Sequence, residues 1–331
     1  MPRLSIAILS NHGPCALETT LVSVLENRPA DCEIVVGLAH AYDDPYQLDG
    51  EVRFVPVDAA TISLDRDNAA LCQCRGEVVH ILESGVRVAE DWADAALAHF
   101  DRDAHIGSVA PLVVNGRDTS KVASAGVDFS LAGKRKLRSS GMSRSRFVET
   151  HARPQLVLGP SAAAGFYRRE ALLTACQGLG CVAGDGMADA DVALSLAALG
   201  YLSVLDPASV VYGHGSPAKM PATVAAGRAA ETVFWRHAAA GGWLVSLAGH
   251  TALVVGEFIA ALVRPALAKR LLGRLIGTCG AFGHVGHADR LVKRHRPADE
   301  DSSTGLSLIL IDAAHPSSDA DPRTSATRRA A

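Results

Sequence analysis

Aromatic side chains are scarce: Phe, Tyr and Trp make up 5% of the 331 residues. That leaves little material for the stacking platforms that hold single-stranded nucleic acid. An excess of either charge is also missing. The formal net charge is -3, which gives no basic footprint for a nucleic-acid partner. The 7 cysteines are an odd number without a repeating spacing. They fit reduced thiols in a cytoplasmic protein better than a disulfide framework. Cys72-Gln73-Cys74 has no second pair at zinc spacing, so it reads as two small residues on a helix. His284 and His287 read as a polar helix end. No signal peptide is expected: Met1-Pro2-Arg3 runs straight into "LSIAIL", which reads as the first strand. The turn after it, "SNHGPCALE", has one glycine and no Lys or Arg. That argues against the Gly-rich basic phosphate loop of a nucleotidyltransferase.

What the chain does have is core-forming material, 48% hydrophobic against 20% charged residues, enough for one large domain or two ordinary ones. Short apolar runs at Leu4–Leu9, Glu33–Leu38, Val52–Val57, Val78–Leu82 and Ile106–Val114 read as strands. Helical spacing separates them at Ala16–Leu25, Thr61–Cys74 and Trp92–Phe100. Alternation of this kind predicts a parallel sheet with right-handed crossovers. In the middle, Val122–Phe129 and Gln155–Tyr167 read as strands around a mobile loop, "AGKRKLRSSGMSRSR". Arg169–Cys176 and Asp189–Leu199 read as helices, and Tyr201–Leu205 and Ser209–Tyr212 as short strands.

The last third reads as helical. Thr223–Ala240 is one expected helix. Trp243–Val263 is a long apolar run with a thin polar stripe of Ser246, His250, Glu257 and Arg264. The last three are seven apart and share one helix face. Three readings fit: a helix packed on the domain, a helix lying in a membrane interface, or a membrane span. His250 and Glu257 would be costly inside lipid. Basic residues Arg264, Lys269, Arg270 and Arg274 follow. The expected organisation is an α/β domain over residues 1–220, a helical region over 221–295 that is membrane-associated on the second and third of those readings, and a largely disordered polar tail over 296–331.

Five pieces in order carry a family resemblance. Asn68, Gly76-Glu77, Leu82 and Trp92 fall in the register of N-x-G-x-x-x-A-x-G-E, an apolar strand, D-x-D and a tryptophan. "LSIAILSNHG" matches an opening strand and turn. "VASAGVDF" and "GPSAAAGFYRREAL" match a mid-region in which a small-residue strand leads into an Arg-Arg pair. "MADADVALSLAALGY" matches an E-D-x-D-L-x-L-R helix, and "DPASVVYGHGS" a strand ending in histidine. Over residues 1–280 the chain resembles the family 2 glycosyltransferases.

The resemblance implies a GT-A fold: a Rossmann-like nucleotide-binding half with a mixed central sheet, followed here by C-terminal helices. It implies an inverting transferase that moves a sugar from a nucleoside diphosphate donor to a glycan or lipid-linked acceptor, in polysaccharide biosynthesis. The site would lie at the inner face of the cell membrane, with peripheral lipid contact through 243–275. It implies that Asp189 is the base, and that Ser10, Arg66, Asn68, Glu83 and Ser84 hold the donor. His214 and Glu83 would be the remaining ligands of a divalent metal, Mn or Mg, because Gly85 stands where the metal-binding aspartate usually does. Gly37 replaces an aspartate that often reads the nucleotide, Asn11 an aromatic, and Ala188 the glutamate before the base. Asp43 and Asp44 lie several residues beyond and are candidates to substitute for that aspartate, outside its register. Asp191 would support its helix start. Basic groups between Lys134 and Arg146 could neutralise the leaving diphosphate without metal. The alternative is an inactive GT-A-like module that binds a partner or glycan.

Overall fold

The computed structural model describes residues 1–10, 13–57, 69–176, 186–213, 220–238 and 242–295. In chain order the elements are β1 (Leu4–Ser10), α1 (Pro14–Asn27), β2 (Cys32–Leu38), β3 (Val52–Pro56), α2 (Ala69–Gln73), β4 (Val78–Glu83), β5 (Arg87–Val88), α3 (Trp92–Arg102) and β6 (Ile106–Asn115). Then follow β7 (Val122–Ser124), β8 (Val127–Phe129), β9 (Arg135–Leu137), α4 (Arg144–Thr150), β10 (Gln155–Val157), β11 (Ala164–Arg168), α5 (Arg169–Cys176), α6 (Ala188–Ala198) and β12 (Leu202–Gly213). The C-terminal helices are α7 (Val224–His237), α8 (Trp243–Val263), α9 (Ala268–Cys279), α10 (Ala281–His284) and α11 (His287–His295).

The main sheet runs β10-β12-β6-β11-β4-β1-β2-β3. Strands β3, β2, β1 and β4 are parallel, as alternation of strand and helix predicts. Every residue of β1 is buried, because helices cover both faces of the parallel part. On one face α1 contributes Leu17, Leu21 and Val24 to a cluster with Ile6, Leu82 and Trp92. On the other, Ala70, Leu71, Leu172 and Leu196 pack on Ala7, Val35 and Val79.

The sheet departs from the expected parallel order beyond β4. Strand β11 pairs antiparallel with both β4 and β6, so it separates them. The sheet is therefore mixed, in line with the mixed sheet of the family resemblance. Ile106–Asn115 is a strand as expected, but its neighbour comes from later in the chain. Other boundaries also shift. Val122–Phe129 is two strands, split where Gly126 takes a positive φ of 98°. Gln155–Tyr167 is also two strands. The two short strands expected at 201–212 are one strand, β12, with a register shift between Asp206 and Val210.

The basic stretch read as a mobile loop is ordered. Arg135–Leu137 pairs with Val127–Phe129 as a small hairpin, and Arg144–Thr150 is a helix around buried Phe147. Three-residue strands are too short to show a period of 2 in sequence. Of the expected helix Thr61–Cys74, Ala69–Gln73 is described, and the remainder lies outside the described residues except Cys74, which is not helical.

The described residues all belong to one compact unit. Within it α7 and α9 cross in close contact, because glycines stand at the crossing. A Cβ on Gly227 would lie 2.0 Å from the Arg270 carbonyl oxygen, and one on Gly273 would lie 1.9 Å from that of Val224. The tail 296–331 lies outside the described residues.

Candidate active site

Strands β1 and β4 end side by side, with Leu9 opposite Glu83. Open α/β sheets bind ligands at this carboxyl edge. Ser10 is buried at the end of β1, and its carbonyl accepts from Ala39 N–H. Glu83 is partly buried at the end of β4, and Ser84 is buried beside it.

The Glu83-Ser84-Gly85-Val86 turn explains the missing aspartate. Val86 N–H donates to the Glu83 carbonyl at 3.1 Å, closing a four-residue turn. Gly85 occupies the third place with φ +92°, where type II turns require glycine. Space is not the constraint: an added Cβ would touch only Ala16, at 3.8 Å. The backbone conformation is what favours glycine. Gly85 N–H donates to the Ala16 carbonyl (3.0 Å) and to Thr20 Oγ1 (2.8 Å), so α1 holds the turn in this shape.

Gly37 has a different cause. A Cβ there would lie 3.1 Å from Ala70 Cβ and 3.2 Å from Val57 Cγ2. Helix α2 closes on β2 at the place where an aspartate would project. Asp44 does not substitute for it: its carboxylate accepts from Leu48 N–H (3.0 Å) and Asp49 N–H (3.1 Å) and caps a turn. Asp43 is exposed in the same loop.

Asp189 stands in the first turn of α6 and is 1% exposed. Arg135, from β9, grips it through two parallel hydrogen bonds: Nε to Oδ1 at 2.7 Å and Nη2 to Oδ2 at 2.5 Å. Two backbone groups complete the shell. Ala162 N–H donates to Oδ2 at 3.0 Å and Ala190 N–H to Oδ1 at 2.8 Å. In this state both oxygens of the carboxylate are engaged. The arginine was not singled out by the sequence, which offered only a basic stretch.

The residue after Ala162 makes the second connection. Glu83 N–H donates to the Ala163 carbonyl at 3.0 Å. The β10–β11 connection, "GPSAAAG", thus joins the end of β4 to the Asp189 carboxylate through adjacent residues. Small side chains permit that approach. Ser161, one residue earlier, is buried, and its hydroxyl has no hydrogen-bond partner among the described residues.

Asp191 does not support the start of α6. It is buried and pairs with Arg236 and with His237 Nε2 (2.9 Å), both on α7. Burial raises the Asp191 carboxyl, but the His237 hydrogen bond and the Arg236 and His237 charges outweigh it and hold it below the usual carboxylate range. Its work is to fasten α7 to α6. Arg66, Asn68 and His214, together with Asn11, lie outside the described residues. Among the described residues no three His, Cys, Asp or Glu side chains gather as a metal centre.

Neither a family model nor a curated protein matches the chain. Solved structures do. The crystal structure of GalNAc-T7 with UDP, GalNAc and Mn2+ superposes with a TM-score of 0.55 at 18% identity, over 70% of this chain and 47% of that one. The chain thus spans less than half the length of GalNAc-T7. The mannosyltransferase PcManGT from Pyrobaculum calidifontis, in complex with GDP-Man and Mn2+, matches with a TM-score of 0.42 at 16% identity, over 88% of this chain and 85% of that one. The mixed sheet, the carboxyl edge at Ser10 and Glu83, and the likeness to GalNAc-T7 together establish that the chain has the GT-A glycosyltransferase fold.

Proposed function

We propose that the chain is an inverting glycosyltransferase that moves a sugar from a nucleoside diphosphate donor to a glycan or lipid-linked acceptor. The ordered motifs support a family 2 type of enzyme. The observation that carries the reading is the Ala162–Ala163 link, which brings Asp189 and Glu83 to one sheet edge. Ser10, Glu83 and Ser84, with Arg66 and Asn68, would hold the donor there. The GalNAc-T7 structure holds UDP, GalNAc and Mn2+, a nucleoside diphosphate and a sugar, which supports a donor of this class.

In the reaction the acceptor hydroxyl loses its proton to the Asp189 carboxylate. Its oxygen attacks the anomeric carbon from the face opposite the diphosphate. The bond from that carbon to the phosphate oxygen breaks, and its electron pair leaves on the diphosphate. Asp189 is engaged by Arg135 in the described state, so the base must first be released. A guanidinium binds phosphate with the same fork it offers a carboxylate. We therefore assign Arg135 an exchange: it leaves Asp189 for the donor diphosphate, uncovering the base and neutralising the leaving group.

A divalent metal fits poorly among the described residues. Hard cations take six or more oxygen ligands in all. Glu83 is the one acid of the turn, and Gly85 supplies none. Glu83 with His214 remains the proposed ligand pair should one bind.

The second reading is an inactive GT-A module, favoured by the sealed Asp189 and by Ala70 and Val57 filling the space beside Gly37. The test is a thermal-shift panel of UDP-, GDP- and dTDP-sugars, each with manganese, magnesium or chelator, followed by transfer assays. A donor that raises the midpoint and is consumed supports the enzyme. Binding or partner capture without turnover supports the module.

A further inference from the structure

Helix α8 is built inside out. Ser246 and His250 are buried against the domain and Glu257 is mostly covered. About half a turn around the helix, at 3.6 residues per turn, Leu244 (77%), Leu262 (71%) and Val263 (81%) stand exposed, with Val255, Phe258 and Ile259. Helix α9 repeats the pattern. Gly273, Arg274 and Gly277 face inward, while Leu272, Leu275 and Ile276 face out. An ordinary surface helix does the reverse.

The inward polar groups are satisfied. Glu231 of α7 accepts from Arg274 Nη1 at 2.7 Å, and its other oxygen lies 3.0 Å from His250 Nε2. Glu257 accepts from Arg274 Nε at 2.7 Å and pairs with Arg270 at 3.2 Å. Phe234 stacks on the His250 ring at 3.6 Å. A membrane span by α8 would pull His250 and Glu257 from these partners and leave them in hydrocarbon, at high cost. The helix has the length and composition of a span. The buried network fits it to lie along an interface instead.

We propose that the outer faces of α8 and α9 form one platform that lies flat on an anionic lipid bilayer. Charge complementarity selects this occupant. Arg264 and Lys269 are exposed where the two helices join, beside Leu262, Val263 and Leu272, and make no ion pair among the described residues. Apolar side chains enter the acyl boundary while these cations meet anionic headgroups. The proposal deepens the membrane side of the function above and stands or falls apart from transfer activity. It also gives a lipid-linked acceptor a short route. The Ala132 carbonyl lies 2.9 Å from His250 Nδ1, in the turn of the same hairpin that carries Arg135.

The test is flotation of the full chain with phosphatidylcholine vesicles, with and without phosphatidylglycerol. Binding that requires phosphatidylglycerol and weakens in raised salt is expected. Phe258→Glu with Leu262→Glu should abolish it. Lys269→Glu should weaken it about fivefold or more, the value of one basic residue at an anionic surface. Both side chains are exposed, and an unchanged thermal midpoint confirms that each variant folds. Failure to float, or flotation unaffected by the Phe258 and Leu262 pair, overturns the proposal. A stable dimer in light scattering that the same pair disrupts, without flotation, assigns the face to a second copy instead and also overturns it.

Discussion

Arg135 and Asp189, 54 residues apart, form a buried bidentate pair at the carboxyl edge of the sheet. The pair neutralises the side chain proposed as the base, and it holds the β8–β9 hairpin against α6. Replacing one partner leaves the other charge buried and uncompensated.

If Arg135 exchanges the carboxylate for a diphosphate, Arg135→Gln should weaken donor binding and slow transfer together. Loss of stability alone, with donor affinity and turnover intact in the folded fraction, would make the pair purely structural. Calorimetric titration of donor into wild type and variant separates these outcomes.

Restoring the acid that the sequence lacks should not create a metal site. Gly85→Asp places a side chain at φ +92°, a conformation that costs non-glycine residues about 1–3 kcal/mol. The expected outcome is a less stable protein with unchanged response to manganese. A gain of metal-dependent donor binding would show that the turn can adapt.

The crossing of α7 and α9 should be intolerant of one methyl group. In Gly273→Ala the new Cβ would meet the Val224 carbonyl oxygen at 1.9 Å. Overpacking of this kind costs about 1–3 kcal/mol, and the loss should also loosen the Glu231–Arg274 pair. Denaturant unfolding checks it; Gly256→Ala on the exposed side, with nothing within 4 Å of its Cβ, is the control.

The Glu231 network gives stability a defined pH dependence. Burial raises the Glu231 carboxyl, but the hydrogen bonds and charges of His250 and Arg274 outweigh it and hold it below its ordinary 4.5. A depressed carboxyl contributes stability that is present above the unfolded-state value and lost as pH falls through the folded-state value. Asp191 acts in the same direction from its ordinary 3.8. The thermal midpoint of wild type should therefore fall as pH drops below about 4.5, and Glu231→Gln, already destabilised, should fall less over that window. Equal slopes would contradict the network's role.

Much of this was legible in the sequence. Trp243–Val263 was bounded correctly because its apolar run is long, and the seven-residue spacing of His250, Glu257 and Arg264 marked a polar face. For His250 and Glu257 that face turns inward, while Arg264 lies just past the helix and is exposed. The partners Glu231 and Arg274 were not legible, since they come from other helices. The strands β1, β2 and β4 stood out as dense apolar runs. The insertion of β11 between β4 and β6 did not, because strand order is a long-range choice that local pattern does not encode. Gly85 was visible as a departure from D-x-D, but its cause, the positive φ, required the turn. Register alone singles out Asp189. Its arginine lay in a stretch whose three-residue strands carry no periodic signal.

The most direct measurement is donor binding and turnover by Asp189→Asn, side by side with wild type. If Asp189 is the base and Arg135 its keeper, the variant should lose transfer by about a hundredfold or more. It should bind donor at least as tightly, because Arg135 is held less strongly. Full transfer by the variant, or loss of donor binding in step with turnover, would contradict the base assignment.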